Sequence, residues 1–355
     1  MSMQTRALVV GSDGVASPAI KEAARILISG GLVAFPTETV YGIGANADDA
    51  DAVARLRALK ERPDVKPFSV HIAGRADLGK VVDPVPVIAN RLMDRFWPGP
   101  VTIVFGRSGD SVGVRLPSHE IGVAFLRECG GPVVAPSANL AGEQPAVSAA
   151  EASAALEGRI DAILDDGGEA PLGQASTIVR VWRTGWEVLR EGAVPTDEIE
   201  QAMTRTIVFI CTGNSCRSPI AEALCRETLA KHLRVEEGDL KQMGYEVLSA
   251  GTATAGGGGA SAGALAAAKD AGLDVSAHRS RRLTAEILLA ADRVYAMDEQ
   301  HMRAALSVCP DAADRIELLD PDGGAIEDPI GMPIEPFRKI VQRMRRHVER
   351  RVEEF

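Results

Sequence analysis

The stretch TRTIVFICTGNSCRSPIAEAL, residues 204–224, changes from a β-branched apolar run to a helical pattern across one short loop. The run TIVFI predicts a buried strand, and SPIAEAL predicts the start of a helix with Ser218 as N-cap and Pro219 at the first helical position. The residues between them, from Cys211 to Arg217, then form a tight loop at the carboxyl end of the strand. Ligands of parallel α/β sheets bind at that end, so the loop is a candidate site.

The loop has the residue types that a phosphate site with a cysteine nucleophile requires. Backbone N–H groups at a helix N-terminus form an anion nest, and the planar fork of Arg217 suits a phosphoryl group. A cysteine in this field is expected to ionise near neutral pH, so that Cys211 attacks phosphorus and water hydrolyses the resulting cysteinyl-phosphate. The leaving group needs a proton, and Asp328, in the stiff turn before Pro329, is the candidate general acid.

Around this loop, residues 204–355 alternate between strand and helix patterns. The runs TIVFI, YEVLSAG and RVYAM are each followed by a loop and a helical segment. Such alternation predicts a parallel sheet covered by helices. The glycine-rich stretch AGTATAGGGGASAG, residues 250–263, predicts a flexible surface loop.

This half of the chain resembles the low-molecular-weight protein tyrosine phosphatase family over residues 205–355. The resemblance continues in SAGT from residue 249, HRSRRLT from residue 278, ADRVYAMDEQHM from residue 291 and the Asp-Pro pair at residue 328. It implies a flavodoxin-like α/β fold with a parallel four-stranded sheet, helices on both faces and no cofactor. The implied roles are nucleophile for Cys211, phosphate clamp for Arg217, general acid for Asp328, thiolate stabilisation for Ser218, a left-handed loop turn for Asn214, support of that turn for His278, and a reversible disulfide with oxidised Cys211 for Cys216.

Two departures from phosphotyrosine-directed members concern the substrate. The sequence from Asp328 reads DPIGMPIEPF and lacks an aromatic pair, and Ser215 is small and polar where a bulky aliphatic residue is common. Both features resemble bacterial protein-arginine phosphatases and favour phosphoarginine over phosphotyrosine. The alternative for this half is a thioredoxin-coupled arsenate reductase. That chemistry needs a closely spaced downstream cysteine pair, whereas only Cys225 and Cys309 remain.

A second polar motif follows an apolar run in the first half, where strand and helix patterns are mixed. The stretch GLVAFPTETVYGIGANA, residues 31–47, places hydroxyls, including that of Thr39, and an acid after a predicted strand. Its glycines allow the backbone to approach a small polar ligand closely. Lys60, Arg62 and Lys66 then place three cations close together in the chain, which indicates an anion site.

With FWPGPVTIVF, VGVRLPSH, APSANLAG, ASTIV and LREGA, these motifs resemble in order the YrdC-like threonylcarbamoyl-AMP synthase family across residues 15–195. The resemblance implies a twisted mixed α/β sheet and synthesis of threonylcarbamoyl-AMP from L-threonine, bicarbonate and ATP. The product would reach the t6A modification of tRNA through downstream transfer proteins, so that contact with tRNA is indirect. Mg²⁺ is expected with ATP, and no protein-bound metal is expected. The implied ligands are Thr39, His71 and Arg115 for threonine, and Lys60, Arg62, Lys66, Ser137, Asn139, Ser176 and Arg190 for ATP.

Composition and charge limit the remaining choices. The resemblances place the domains at residues 1–200 and 204–355, with a boundary in the polar stretch GAVPTDEIEQAMTR. The net charge of −10 argues against broad non-specific binding of nucleic acid. Five cysteines in a chain of this length do not form a disulfide framework, and the sequence contains no apolar run of about 18 residues that could span a membrane. We therefore expect a reduced, cytoplasmic protein without membrane contact.

The main alternative for the first half is a module that binds RNA or a nucleotide without catalysis. The intact set of Lys60, Arg62, Arg115 and Ser137 argues against a decayed catalytic site, and the negative net charge argues against RNA as the main ligand. A second alternative is a carbamoyl transferase of metal-centre maturation, but the sequence lacks the accessory zinc-finger cysteines expected there. The sequence therefore predicts a bifunctional enzyme.

Overall fold

The computed structural model describes residues 4–61, 67–106 and 111–354. The chain divides into two compact units, Met1–Met203 and Thr204–Phe355. The division follows a short helix, Thr196–Met203, at the end of the first unit.

The first unit is built on one large sheet with helices packed against it. Its strands are β1 Arg6–Val9, β2 Val33–Phe35, β3 Gly42–Asn46, β4 Val70–His71, β5 Val101–Phe105, β6 Val112–Arg115, β7 Val133–Val134, β8 Ala162–Asp165, β9 Thr177–Trp182 and β10 Gly185–Arg190. Its helices are α1 Pro18–Ile28, α2 Ala50–Leu59, α3 Ala89–Phe96, α4 Glu120–Cys129, α5 Ala149–Leu156 and α6 Thr196–Met203.

Within the described residues this sheet has the strand order β1-β8-β2-β3-β7-β4-β6-β5-β9-β10. Parallel pairs such as β1 with β8, β4 with β6 and β5 with β9 occur beside antiparallel pairs such as β2 with β3 and β9 with β10. The sheet is therefore mixed, which confirms the predicted fold class. The parallel register of β4 and β6 sets His71 beside Arg115, so two predicted site residues end neighbouring strands.

Helix α1 shows how the apolar pattern fixes the position of a helix on this sheet. Ser17 caps the helix by accepting a hydrogen bond from the Ala19 N–H, and Pro18 is its first residue. One face is buried, with the residues Ile20, Ala23, Ala24 and Leu27. This face packs around Phe35 and Phe125, whose ring centroids are 5.0 Å apart. Burial of each large apolar side chain contributes about 1.5–3 kcal/mol, so the pattern anchors β2 and the polar loop that follows it.

The second unit has a four-stranded sheet in its described residues, with the order β12-β11-β13-β14. All three strand pairs are parallel, which confirms the prediction of a parallel four-stranded sheet. The strands are β11 Arg205–Cys211, β12 Tyr245–Gly251, β13 Arg293–Ala296 and β14 Ile316–Leu318. The helices are α7 Arg217–Leu233, α8 Ala262–Asp270, α9 Ala285–Ala290, α10 Glu299–Val308 and α11 Ile334–Val352.

The start of α7 differs from the sequence prediction. The helix begins at Arg217, with Cys216 at the cap position and without a side-chain cap hydrogen bond. The prediction of Ser218 as N-cap was therefore wrong, and Pro219 is the third residue of the helix rather than the first. The Ser218 hydroxyl instead lies within hydrogen-bond distance of Cys211 and Asn214. A residue that follows the loop can thus turn its hydroxyl back into the loop, which a capping rule based on sequence does not distinguish.

The glycine-rich stretch lies at the surface as predicted, but its backbone has defined partners. The Gly257 N–H donates to the Ser280 carbonyl, and the Ser280 N–H donates to the Gly258 carbonyl, over 2.7 Å each. Gly256 and Gly257 have φ angles of 86° and 84°, in the left-handed region that glycine adopts without strain. The middle of the stretch is therefore hydrogen-bonded to Ser280, while its flexibility stays a prediction.

Helix α11 packs against α7 and α8 through an apolar stripe of helical period. The buried apolar residues of the stripe are Phe337, Ile340, Val341, Met344, Val348 and Val352. The opposite face is strongly basic, and its arginines pair with acids of the same unit, as Arg343 does with Asp320 and Arg350 with Asp322. Among the described residues, no helix is both long and apolar enough to cross a membrane.

Candidate active sites

In the second unit, the loop between β11 and α7 curls around a single buried asparagine. Asn214 is 0% exposed and has a φ of 50°, in the left-handed region that asparagine tolerates. Its amide donates to the hydroxyls of Ser218, over 2.9 Å, and of Ser249, over 2.8 Å. Its side-chain oxygen accepts from the Arg281 N–H, and its backbone carbonyl accepts from Nε2 of His278 over 2.7 Å. These bonds satisfy both ends of the side chain and hold the turn from two sides.

The direction of these bonds assigns the proton that faces the predicted nucleophile. Ser218 Oγ accepts from the Asn214 amide, so its own proton is available to Cys211 Sγ, which lies 3.0 Å away. Ser249 Oγ donates to Oε2 of Glu222 over 2.6 Å, which fixes Ser249 as the acceptor of the other amide proton. Cys211 is buried at the end of β11, with one oriented hydroxyl donor beside its sulfur. Such a donor stabilises a thiolate.

Arg217 is buried beside the loop and is held by three groups. Nη1 donates to the Ile326 carbonyl over 3.0 Å and lies 3.5 Å from Oδ2 of Asp298. Nη2 donates to Oδ2 of Asp328 over 2.6 Å. Nε is buried and has no hydrogen-bond partner within the part of the chain that the structure describes. A buried N–H without an acceptor is costly, and a bound oxyanion would supply one.

The carboxyl group of Asp328 is oriented by its own turn. Oδ1 accepts from the Ile330 N–H over 3.1 Å, and Oδ2 accepts from Arg217. About two fifths of this side chain is exposed, at 39%, so it can exchange protons with water. Ile330 and Met332, which follow it, are exposed apolar side chains. The predicted general acid thus stands at the open side of the loop.

The glycine-rich stretch closes the other side of the loop at Ser261. The Ser261 N–H donates to the Ser215 carbonyl over 2.8 Å, and its hydroxyl lies 3.0 Å from Sγ of Cys216. Burial raises the pKa of the Cys216 thiol above its usual value, although the hydroxyls of Ser261 and Ser215 oppose this. The Cys216 side chain is therefore a thiol rather than a thiolate. Its neighbour Ser215 is half-buried.

Several residues of this site are absent from the predicted set. Ser249 and Asp298 lie in the quoted stretches SAGT and ADRVYAMDEQHM, and Glu222 lies in SPIAEAL. The sequence analysis identified these motifs but assigned no role to the three residues. His301 also belongs here, because its Nε2 lies 2.8 Å from Oγ1 of Thr212, the residue after the nucleophile. These contacts link positions far apart in the chain, which spacing alone does not show.

In the first unit, polar residues from several strands line a cleft of about 210 Å³. Six residues of the predicted ligand sets are in its lining: Lys60, His71, Arg115, Ser137, Ser176 and Arg190. Thr39 and Asn139 lie behind this lining and contact it through Thr37 and Ser137, respectively. The predicted residues Arg62 and Lys66 lie outside the described residues.

Lys60 joins the end of α2 to the loop after β7. Its Nζ donates to the Ser137 carbonyl over 3.0 Å, to the Asn139 carbonyl over 2.7 Å and to Oδ1 of Asn139 over 2.8 Å. Oδ1 also accepts from the Ser137 hydroxyl over 2.6 Å. One cation, one hydroxyl and one amide therefore form a single cluster on this side of the cleft.

Arg115 and Glu38 form a buried ion pair at another part of the cleft. Nη2 of Arg115 lies 2.8 Å from Oε1 of Glu38, with both side chains under 10% exposed, at 5% and 9%. Nε donates to the Gly99 carbonyl over 3.3 Å, and the second Glu38 oxygen accepts from the Ser118 N–H. Nη1 makes no hydrogen bond to any part of the chain that the structure describes. The pair thus holds the guanidinium while leaving one amino group for a ligand.

His71 is buried beside this guanidinium and is neutral. Burial lowers the pKa of its imidazole to about 3, and the positive charge of Arg115 acts in the same direction. Its Nδ1 is buried and, in the described chain, has no hydrogen-bond partner. An uncharged ring nitrogen is therefore available at the cleft for a hydrogen bond to a small ligand.

The third cluster of the cleft connects the start of β9 with the end of β10. The hydroxyls of Thr102 and Ser176 are 2.9 Å apart, and Nη2 of Arg190 donates to the Ser176 carbonyl over 2.6 Å. The predicted ligand sets lack Thr102, which lines the cleft, and Glu38, which lies behind the lining against Arg115. Glu38 lies in the quoted motif PTETVYG, and Thr102 occupies the second position of VTIVF, where it reads as an ordinary strand residue.

Comparison with known proteins separates the two units in the same way. A family model named for Sua5, YciO and YrdC, and described as telomere recombination, matches residues 25–192. The model for low molecular weight phosphotyrosine protein phosphatase matches residues 206–355. Both models agree with the resemblances seen in the sequence.

Relatives of the first unit carry the name threonylcarbamoyl-AMP synthase. The protein from Pyrococcus abyssi (strain GE5 / Orsay) is 40% identical over 194 residues, which cover 52% of this chain and 57% of the relative. The protein from Cellvibrio japonicus (strain Ueda107) is 34% identical over 161 residues, covering 42% of this chain and 85% of the relative. This chain thus spans little more than half the length of the Pyrococcus relative.

Solved structures resemble each unit. The structure of P. abyssi Sua5 complexed with L-threonine has a TM-score of 0.52 at 27% identity, covering 69% of this chain and 92% of that chain. The YwlE arginine phosphatase from Geobacillus stearothermophilus is 34% identical, with a TM-score of 0.37, covering 42% of this chain and 92% of that chain. The chain belongs to the Sua5/YrdC family of threonylcarbamoyl-AMP synthases through its first unit, and its second unit matches the model of the low-molecular-weight phosphotyrosine phosphatase family.

Proposed function

We propose that the chain is a bifunctional enzyme of the cytoplasm. Its first unit forms threonylcarbamoyl-AMP from L-threonine, bicarbonate and ATP, for transfer by downstream proteins to tRNA as t6A. Its second unit hydrolyses a phosphoprotein through a cysteinyl-phosphate on Cys211. The relatives named threonylcarbamoyl-AMP synthase and the threonine complex of P. abyssi Sua5 support the first activity.

For the first unit, the pairing of a buried guanidinium with a neutral imidazole carries the proposal. Nη1 of Arg115 binds the carboxylate of threonine, because it is the part of this guanidinium that Glu38 and Gly99 leave unbonded. His71 accepts a hydrogen bond from the amine at Nδ1, which orients the amine nitrogen for reaction. Thr39, behind the lining, completes the threonine site through Thr37.

The other two clusters bind ATP. After the threonine amine has reacted with CO₂ from bicarbonate, a carbamate oxygen attacks the α-phosphorus, and the bond to pyrophosphate breaks. Negative charge grows on the leaving pyrophosphate, and Lys60, with Arg62 and Lys66, neutralises it. The nucleotide is bound by the remaining polar residues of the cleft, Ser137, Asn139, Ser176 and Arg190.

Mg²⁺ enters this site as part of the substrate. Among the described residues, no group of three or more His, Cys, Asp or Glu side chains could hold a metal ion. The phosphate oxygens of ATP would bind the ion, and it would shield their negative charge.

The first experiment is a product assay with the full chain, L-threonine, labelled bicarbonate, ATP and Mg²⁺. We expect pyrophosphate and a labelled adenylate only when all substrates are present. Lys60→Ala should lower the rate by about 10²-fold, because a charge that stabilises the leaving group is lost. Lys80→Ala is the matched control, since Lys80 pairs with Asp77 outside the cleft. Pyrophosphate release that does not depend on threonine would contradict the proposal.

A non-catalytic RNA-binding module remains the alternative for this unit. It is disfavoured because the lining of the cleft has cations, hydroxyls and an imidazole at three separate clusters, a pattern that fits several small ligands better than one polyanion. RNA binding that weakens steeply with salt, together with no turnover in the product assay, would support this alternative.

For the second unit, the proposal rests on Nε of Arg217, which is buried beside the loop and has no hydrogen-bond partner among the described residues. A phosphoryl group would accept from Nε and from the loop N–H groups while Cys211 attacks phosphorus. The bond from phosphorus to the leaving group breaks, and Asp328 donates its proton to that group. Water then attacks the cysteinyl-phosphate, with Asp328 as base, and releases phosphate and the Cys211 thiolate.

We propose phosphoarginine as the preferred substrate of this unit. Ser215 offers a hydroxyl rather than an apolar surface beside the loop, and the exposed residues after Asp328 are Ile330 and Met332 rather than aromatic rings. The test compares kcat/KM on phosphoarginine and phosphotyrosine peptides. Cys211→Ser should abolish both activities, and hydrolysis by this variant would contradict the cysteine mechanism.

An arsenate reductase is the alternative for the second unit, and the cysteines disfavour it. Cys225 and Cys309 are both buried, at 1% and 5% exposure, and burial raises the pKa of the Cys225 thiol. Neither is suited to relay electrons from the loop to a reductant, which requires an accessible thiolate. Thioredoxin-dependent reduction of arsenate by the full chain would support this alternative.

A further inference from the structure

Beside the nucleophile, a hydroxyl, an imidazole and a carboxylate form a row that the proposed reaction does not use. Oγ1 of Thr212 lies 2.8 Å from Nε2 of His301, and Nδ1 of His301 lies 2.8 Å from Oδ1 of Asp298. Asp298 also caps α10, because the same oxygen accepts from the His301 N–H. His301 and Asp298 are therefore fixed relative to each other before any substrate binds.

The charge of Asp298 indicates the direction of the hydrogen bond between Thr212 and His301. Nδ1 of His301 makes no hydrogen bond within the described residues, but it lies 2.8 Å from the Asp298 carboxylate, whose charge favours the tautomer with the hydrogen on Nδ1. Burial, with the charge of Arg217, lowers the pKa of His301, whereas the charges of Asp298 and Asp328 oppose this. The neutral ring then accepts at Nε2 from the Thr212 hydroxyl.

The Thr212 hydroxyl is consequently a hydrogen-bond acceptor toward solvent and substrate. Its hydroxyl proton is committed to His301, and the side chain is exposed, so its lone pairs face an approaching substrate. The row also lies near the proposed general acid, because Asp298 is 3.5 Å from Arg217, which bonds Asp328, and the charge of Asp328 acts on His301.

We propose that Thr212 is a specificity-determining residue that accepts a hydrogen bond from a guanidinium N–H of phosphoarginine, with His301 and Asp298 as positioning residues. This inference rests on the proposed phosphatase function. A phosphorylated guanidinium presents N–H donors next to the phosphorus, whereas the ring of phosphotyrosine presents only carbon-bound hydrogens there. The Thr212 hydroxyl, oriented by His301 and Asp298, can therefore accept a hydrogen bond from phosphoarginine. When phosphotyrosine is bound, the same hydroxyl has no donor from the substrate.

The test measures kcat/KM of the full chain on phosphoarginine and phosphotyrosine peptides of one sequence. Thr212→Val keeps the shape and removes the acceptor, so the ratio of the two values should shift toward phosphotyrosine by at least about tenfold. Thr212→Ser, which keeps the hydroxyl, should restore the ratio to within about threefold of the native value. His301→Gln should shift it in the same direction as Thr212→Val, because the hydroxyl loses its fixed acceptor.

The matched control is Thr254→Val, which removes a hydroxyl that accepts only locally, from the Gly256 N–H. The ratio should not change in this variant. Equal losses on both substrates for Thr212→Val, or no rescue by serine, would overturn the specificity role. A native chain that hydrolyses only phosphotyrosine peptides would also overturn it while leaving the cysteine mechanism intact. A native chain that hydrolyses neither peptide would overturn the proposed phosphatase function itself.

Discussion

Nη2 of Arg217 donates a hydrogen bond to Oδ2 of Asp328 over 2.6 Å, so the proposed general acid occupies a donor of the proposed phosphate clamp. A phosphoryl group that took over this donor would release the carboxyl group to the leaving group. On the proposed mechanism, substrate binding and placement of the acid would then be one event.

Asp328→Asn should separate proton donation from binding of the phosphoryl group. We expect kcat on phosphoprotein substrates to fall by about 10²- to 10³-fold, because the leaving group receives no proton. The loss on p-nitrophenyl phosphate should be much smaller, since nitrophenolate leaves without protonation. Steady-state kinetics on both substrates checks this. An equal loss on both would mean that Asp328 acts on Arg217 rather than on the leaving group.

Ser249→Ala should destabilise the loop after β11, because it removes a hydrogen bond to Asn214. One N–H of the buried Asn214 amide loses its acceptor, and an unsatisfied buried donor costs about 1–3 kcal/mol. Urea unfolding followed by circular dichroism, together with protection of β11 and β12 amides against hydrogen exchange, measures the effect. Ser307→Ala is the control, because its exposed hydroxyl donates only to a carbonyl of its own helix. A Ser249 variant as stable as this control would show that water replaces the lost contact.

Arg115→Met should destabilise the first unit as well as abolish synthase activity. It leaves the buried Glu38 carboxylate without its cation, and breaking a buried pair in this way costs about 3–5 kcal/mol. The double variant Arg115→Met/Glu38→Gln should recover most of the stability and none of the activity. Tryptophan fluorescence reports on this unit alone, since residues 97, 182 and 186 are the three tryptophans of the chain. Recovery of activity in the double variant would exclude Arg115 as the threonine ligand.

The first unit should lose stability as the pH falls below about 6.5. His71 has a pKa of about 3 in the folded chain and a usual value of 6.5, so between these values the unfolded chain binds a proton that the folded chain does not. Stability is fully present above 6.5 and falls by about 1.4 kcal/mol for each pH unit below it. Urea unfolding by tryptophan fluorescence at several pH values measures this slope. His71→Asn should flatten it, and an unchanged slope would assign the proton elsewhere.

Gly192→Ala should be strongly destabilising. A Cβ at this position would lie 2.2 Å from the Ala175 carbonyl oxygen, which is backbone and cannot move aside cheaply. The Gly192 N–H also donates to Thr177 over 2.9 Å, so the segment is tied to the start of β9. We expect the free energy of unfolding to fall by more than about 2 kcal/mol, measured by urea unfolding followed by tryptophan fluorescence. Gly79→Ala, whose Cβ would meet nothing within 4 Å, is the control.

The sequence predicts the second site well because its residues are adjacent in the chain. Cys211 and Arg217 are brought together by one turn between a strand and a helix, and both elements have clear patterns. The error at Ser218 arises because a cap and an inward-facing hydroxyl have the same sequence signature. His301 is not identifiable in this way, since its contact with Thr212 depends on how β13 pairs with β11.

The first site is less predictable because it is assembled from many strands. Lys60, His71 and Arg115 are quoted in motifs, but only the strand order brings them to one cleft. The role of Glu38 depends on burial: an exposed glutamate would be ordinary, whereas one buried against Arg115 fixes a guanidinium. Burial of a single polar residue is a property of the packed sheet rather than of its local sequence.

The complete set of bonds around Asn214 has a consequence for how selectivity can change. These bonds are all made within the protein and hold the loop in shape, so binding a tetrahedral oxyanion should require no folding of the site, and phosphate, sulfate or vanadate should compete with any substrate. Discrimination must then come from the rim, at Thr212, Ser215 and Ile330. Substitutions there can redirect the enzyme to a new phosphorylated residue while the chemistry at Cys211 stays the same.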